Sequence, residues 1–112
     1  MQMTQRTFRE AVVLEIADEF TYGGRKDFKA AMEKVQQAGC RHLILNFKHV
    51  TFVDSAAIGL LALAAHQFKA GNRTLSLVSP QGTVKQILEL ANIHKMIPVF
   101  PSEDAAAGAK AA

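Results

Sequence analysis

A chain of 112 residues with 49% hydrophobic and 21% charged residues has the balance of a single globular domain, which sets disorder aside. The formal charge is +3, but the 13 basic residues are scattered among 10 acidic ones without a basic run interleaved with aromatics, so no nucleic-acid partner is expected. Cys40 is the single cysteine, which excludes an internal disulfide, and the longest apolar segment, 58–65, is too short to cross a bilayer. The N-terminus lacks the apolar stretch of a signal peptide, so the expectation is a cytoplasmic protein without membrane insertion.

In chain order, 4–9 and 11–17 read as two strands joined tightly at Arg9-Glu10, the second rich in branched residues. A loop over 18–24 is punctuated by Gly23-Gly24. Phe28, Ala31, Met32 and Val35 fall at helical spacing within 25–38, and Gly39 stands where a helix-ending glycine belongs. The stretch 42–47 is almost wholly apolar, as a strand covered on both faces should be.

After a predicted loop over 48–54, a helix is expected from Ser55 to Ala70, with Ile58, Leu61, Ala62, Ala65 and Phe68 as its core stripe and Gly71-Asn72 as its end. A fourth strand covers 74–78, and Ser79-Pro80 opens a helix over 81–90 with Val84, Ile87, Leu88 and Ala91 inward. A short edge strand over 96–100 tolerates Pro98, and Ser102 caps a last short helix running into an alanine-rich tail. The order ββαβαβαβα predicts an α/β domain with a mixed, mostly parallel sheet of about five strands and right-handed crossovers.

The junction Val53-Asp54-Ser55-Ala56 is the most informative point of this pattern, because a small hydroxyl stands where a strand-like run gives way to a helix. Either Asp54 or Ser55 suits the N-cap position, worth about 1 kcal/mol. Unpaired backbone N–H groups and the positive end of the helix dipole would also receive a phosphate on Ser55. The small side chains of Ala56 and Ala57 are expected to leave the first helical turn open to another protein surface. The loop carrying Thr21 and Tyr22 follows a strand and is expected near the same end of the sheet, where Tyr22 could serve as an aromatic anchor or pack on the core edge.

From 4 to 106 the chain resembles a STAS domain of the anti-sigma-factor antagonist type. The resemblance is carried by Leu43-Ile-Leu-Asn-Phe-Lys-His-Val-Thr-Phe-Val-Asp54-Ser55-Ala-Ala-Ile-Gly59, by the segment 71–80 and by the segment 84–93. It implies a non-enzymatic, cofactor-free module for partner switching. The unphosphorylated form would bind an anti-sigma factor that is also a serine kinase of the histidine-kinase-like ATPase type. Phosphorylation at Ser55 would release it, and a serine phosphatase would reset the cycle. Asp54, Ser55, Ala56, Ala57, Gly59, Thr21 and Tyr22 are then the partner-binding residues. Ala56 and Ala57 replace a hydroxyl residue and a glycine of the family pattern, Asn46 stands where Asp is common, and Thr21 is the nearest counterpart of a loop Asp. The alternative implied by the same fold is a subunit that docks on an ATPase of a phospholipid-transport ABC system without a phosphorylation cycle.

Catalysis has little support. Ser55 lacks a Gly-x-Ser-x-Gly elbow, and His66 lies eleven positions on, about three helical turns away. Cys40 and His42 lack the second pair that a metal site requires, and there is no glycine-rich phosphate loop.

Overall fold

The computed structural model describes residues 1–109. Five strands form one sheet in sequential order: β1 (Gln2–Phe8), β2 (Ala11–Phe20), β3 (His42–Val53), β4 (Thr74–Val78) and β5 (Val99–Phe100). The β1–β2 hairpin is antiparallel and the other three pairings are parallel. Helices α1 (Arg25–Gln37), α2 (Ser55–Ala70), α3 (Gly82–Leu90) and α4 (Ile93–Met96) make the crossovers, and α5 (Glu103–Gly108) closes the described chain. The last short helix runs into the alanine-rich stretch 105–112 as expected, since α5 extends to Gly108, and residues 110–112 lie outside the described residues.

Strands pleat with a period of two, so the sheet has two distinct apolar faces. On one, Leu43, Leu45 and Phe47 of β3 and Leu75 and Leu77 of β4 pack beneath Phe28 and Met32 of α1, Leu61 and Phe68 of α2, and Val84 and Leu88 of α3. On the other, Ala11, Val13, Ile44 and Val78 lie beneath Ala106 of α5. This two-sided cover explains the unbroken apolar run of β3.

Three elements depart from the sequence reading. The stretch 48–53 is strand rather than loop: β3 continues to Val53 and pairs with a β2 that reaches Phe20. Register shifts between Glu15 and Ala17 and between Asp18 and Glu19 break the alternation, so only Val50 and Val53 of this extension are buried and the period-two signal disappears. The expected strand over 96–100 contracts to Val99–Phe100 because Ile93–Met96 turns as α4, with Ile93 and Ile97 fully buried. In α2 the buried stripe is Ala57, Leu61, Ala64 and Phe68; the helix is rotated from the expected stripe, leaving Ile58, Ala62 and Ala65 half-buried.

The helix ends follow the expected chemistry, with one substitution of role. Gly39 takes the left-handed conformation after α1 (φ 78°), but after α2 Asn72 does so (φ 55°) rather than Gly71. Asn72 N–H donates to the Lys69 carbonyl and Arg73 N–H to the Phe68 carbonyl, a Schellman closure that fixes the direction of the chain into β4.

α5 is too short to hold itself by helix propagation. Its first turn is fastened to the sheet through polar groups. Glu103 accepts from the Arg6 guanidinium and from Asn46 Nδ2 (2.6 Å), and Asp104 pairs with Arg9 at 2.8 Å. Ser102 caps the helix as expected, accepting from Ala105 N–H at 3.1 Å. Burial would raise the Glu103 pKa, but the bonds from Arg6 and Asn46 outweigh it and hold the carboxyl below its ordinary range. Asn46 Oδ1 also accepts from Lys48 N–H at 2.9 Å, so the amide uses both ends.

Asn46→Asp would set a second carboxylate against Glu103 and remove its donor. The expected result is a loss of about 1–3 kcal/mol in urea unfolding at neutral pH. Because the Glu103 pKa is depressed in the fold, its stabilisation is present above the unfolded carboxylate range and is lost as pH falls through the folded value. The gap between variant and wild type should therefore narrow in acid, and amide exchange in 103–108 should speed up at pH 7.

Candidate partner-binding site at the start of α2

The side chain that organises this end of the sheet is Asp54. It has extended backbone and is the N-cap of α2, with Oδ1 accepting from Ala57 N–H at 2.9 Å. Its other oxygen, Oδ2, accepts from Tyr22 N–H at 3.0 Å, thirty-two residues earlier in the chain. One carboxylate therefore starts a helix and pins the β2–α1 connection to it. The bond from Ala57 is the chief cause, with the one from Tyr22 adding to it, that holds the Asp54 pKa below its ordinary value. Asp54 is thus an anion at neutral pH.

Of the two candidates for the cap, Asp54 takes the position, and Ser55 becomes the first helical residue, exposed to solvent. The first N–H groups of a helix have no intrahelical acceptor. Asp54 accepts that of Ala57, and the Ala56 N–H also bears on its carboxylate, so the capping is done by Asp54 alone.

The β2–α1 connection is more ordered than the expected loop. Tyr22–Gly24 forms a 3-10 turn, closed by Gly24 N–H donating to the Thr21 carbonyl at 2.9 Å. Beneath it the fully buried Phe20 ring packs on Phe28 at 4.9 Å between centroids and edge-on to Phe47 at 6.1 Å. Gly24 is buried against the Met1 side chain, where a Cβ would come within 2.7 Å of the Met1 methyl. Of the two alternatives for Tyr22, the exposed one is observed, with 59% of its surface accessible. The Arg25 guanidinium covers one face of the ring at 3.7 Å from the centroid and donates to the Tyr22 carbonyl at 3.0 Å.

The structure thus brings Thr21, Tyr22, Asp54, Ser55, Ala56 and Gly59 to one end of the sheet and one face of α2. Ala57 is the exception. Its side chain is completely buried against the core, so its small size serves helix-to-sheet packing and does not open the first turn. Only its backbone N–H belongs to the site. Two further residues were not singled out from sequence. Phe52, 44% exposed, stands two positions before Asp54 on the strand extension over 48–53. Arg25 follows Tyr22 by three residues, and only the 3-10 turn brings it over the ring.

Residues 2–106 match the family model described as STAS domain. This chain belongs to the STAS domain family. A STAS-domain containing protein of Pseudomonas aeruginosa (strain UCBPP-PA14) is 26% identical over 90 residues, covering 80% of this chain and 88% of the relative. The anti-sigma F factor antagonist of Paenibacillus polymyxa is 22% identical over 107 residues, covering 92% and 89%. Among solved structures, the Bacillus cell fate determinant SpoIIAA in its phosphorylated form superposes with a TM-score of 0.71 at 20% identity, covering 93% of this chain and 96% of that one.

The expected STAS architecture, a single α/β domain with a five-stranded, mostly parallel sheet, is the one observed. No described helix is long and apolar enough to cross a membrane. Among the described residues no three His, Cys, Asp or Glu side chains cluster as metal ligands. His42 is engaged away from this site: its Nε2 lies 2.9 Å from the hydroxyl of buried Ser76, and burial lowers its pKa.

Asp54→Ala removes the cap and the anchor of Tyr22 together. Unfolding free energy at pH 7 should fall by about 1–2 kcal/mol, while Asp54→Asn, which keeps an acceptor oxygen, should lose less. The sign with pH follows from the lowered pKa: the contribution is present above the unfolded carboxylate range and is lost as pH drops through the folded Asp54 value. Urea titrations of wild type and Asp54→Ala should accordingly converge in acid.

Proposed function

We propose that this STAS domain is an anti-sigma-factor antagonist in a partner-switching pathway. Its unphosphorylated form binds an anti-sigma factor that is also a serine kinase of the histidine-kinase-like ATPase type. Phosphate transfer to Ser55 ends that complex, and a serine phosphatase restores it. The observation that carries this reading is the division of labour at the helix start: Asp54 caps α2, which leaves Ser55 exposed with its hydroxyl free of capping duty. Similarity to an anti-sigma F factor antagonist and to a STAS protein solved in phosphorylated form supports it.

In the kinase reaction the Ser55 oxygen attacks the terminal phosphoryl group of the kinase's ATP and gives up its proton, with ADP as leaving group. The product carries about −1.5 to −2 charges beside the ionised Asp54. In the free domain the positive end of the α2 dipole offsets part of this charge and solvent screens the rest at an exposed position, so the fold tolerates it. A partner packed over the first turn would have to desolvate the dianion. A penalty of about 2.8 kcal/mol corresponds to ~100-fold in affinity, and an unmatched buried charge readily exceeds it. The switch then needs no refolding, only charge and bulk at an interface.

Gly59 supplies an independent reason to see this face as a contact surface. It lies one turn beyond Ser55 on the exposed side of α2, and a Cβ there would meet nothing within 4 Å. Glycine inside a helix costs about 1 kcal/mol relative to alanine. Nothing in the domain's own packing requires that cost, whereas close approach of a partner to the helix backbone would. Tyr22 and Leu63, the latter 46% exposed, flank this track with apolar surface.

Two outcomes are expected. With the cognate kinase, Ser55→Ala should bind like wild type without accepting phosphate, and Ser55→Asp should bind ~100-fold more weakly by calorimetry; equal affinities for both would refute the mechanism. Gly59→Ala should raise unfolding free energy by about 1 kcal/mol and yet weaken the complex. A variant that gained both stability and affinity would remove Gly59 from the contact surface.

A further inference from the structure

At the opposite pole from Ser55, where α2 ends and the parallel strands begin, an open cleft of about 570 Å³ lies between the α2–β4 turn, the entrance to β3 and the α4–β5 connection. Arg41, Lys69 and Arg73 line it, and no acidic residue does. Ion pairs do form elsewhere on the domain, through Arg6 and Arg9, but Arg41, Lys69 and Arg73 form none among the described residues. The dipole at the C-terminus of α2 gives a reason for Lys69 in the last turn. It gives none for Arg41, which arrives from another segment.

The backbone around the cleft is fixed. Arg73 is held by its N–H bond to the Phe68 carbonyl in the Schellman closure, and Thr74 N–H donates to the Arg41 carbonyl at 2.8 Å. The backbones of two arginines from different loops are thereby fixed at the rim of one cleft, which their side chains line together with Lys69. Across the cleft Met96, half exposed, and Pro98 supply apolar surface. The larger cleft of about 720 Å³ at α3 and β5 differs in sign: Lys85 and His94 share it with Glu89.

We propose that the Arg41–Lys69–Arg73 cleft is a second binding site, for a phosphate-bearing ligand with an apolar body. Guanidinium forks match phosphate oxygens in bidentate geometry, and an excess of positive charge suits a phosphate better than a single carboxylate. The volume falls in the range of small-molecule sites, with the apolar body resting on Met96 and Pro98. The phosphate can belong to a free small molecule or to a lipid headgroup at a bilayer surface.

The test uses the whole chain and two probes. Phenyl phosphate, titrated into 15N-labelled protein, should shift amides in 68–75 and 96–98 in a saturable manner. The double variant Arg41→Gln/Arg73→Gln should weaken that binding at least tenfold, and Lys85→Gln, in the other cleft, should leave it unchanged. In parallel, wild type should be sedimented with phosphatidylglycerol and with phosphatidylcholine vesicles. Saturable phenyl phosphate binding assigns the cleft to free ligands. Retention on phosphatidylglycerol alone, lost in the double variant and without phenyl phosphate binding, assigns it to a headgroup. No binding of either probe, shifts centred elsewhere, or equal weakening by Lys85→Gln overturns the proposal.

Discussion

One carboxylate holds the candidate site together. The two oxygens of Asp54 take N–H groups from Ala57 and Tyr22, and so join the start of α2 to the turn that follows β2. Charge-assisted bonds of this kind are stronger than neutral ones, and the dipole at the helix start favours the anion further. The geometry of Ser55 follows from this arrangement. Had serine been the cap, its oxygen would have been turned inward to the helix N–H groups. With aspartate in that role, Ser55 is the first helical residue and is exposed to solvent.

The packing beneath explains why this junction can be rigid while its surface stays free for contact. Phe20 locks the end of β2 between α1 and β3, so the Tyr22 turn starts from a fixed point. Ala57 and Ala64 alternate with Leu61 and Phe68 along the buried side of α2, and such small side chains bring a helix close to a sheet. The outward side of the same helix carries Ser55, Gly59 and Leu63. The core contacts and the proposed contact surface therefore occupy opposite faces of one element.

How much of this was legible in the sequence depended on the signal each element left. The hairpin, α1, β4 and the end of α2 each carried local chemistry, a period or a stop residue, and the structure places all of them close to the expected positions. The second half of β3 was invisible because register shifts against β2 erased the alternation that marks a strand. With it went Phe52, since a residue assigned to a loop carries no face. Ala57 is ambiguous in sequence for a related reason: small size fits an open surface or a tight core contact equally well, and only the rotation of α2 decides between them. The clasp of α5 depended on contacts from Glu103 to Arg6 and Asn46, 97 and 57 residues away, which no local pattern encodes. Asn46 itself had been visible as a departure from the family pattern, without the partner that explains it.

The 16-residue length of α2 has a consequence of its own. It separates its two ends by about 24 Å, roughly three times the distance over which physiological ionic strength damps a charge (about 8 Å). A charge added at one end, as proposed for Ser55, would thus be electrostatically silent at the other. The two proposed sites would therefore not sense each other through the solvent, and any communication between them would have to travel mechanically along the helix.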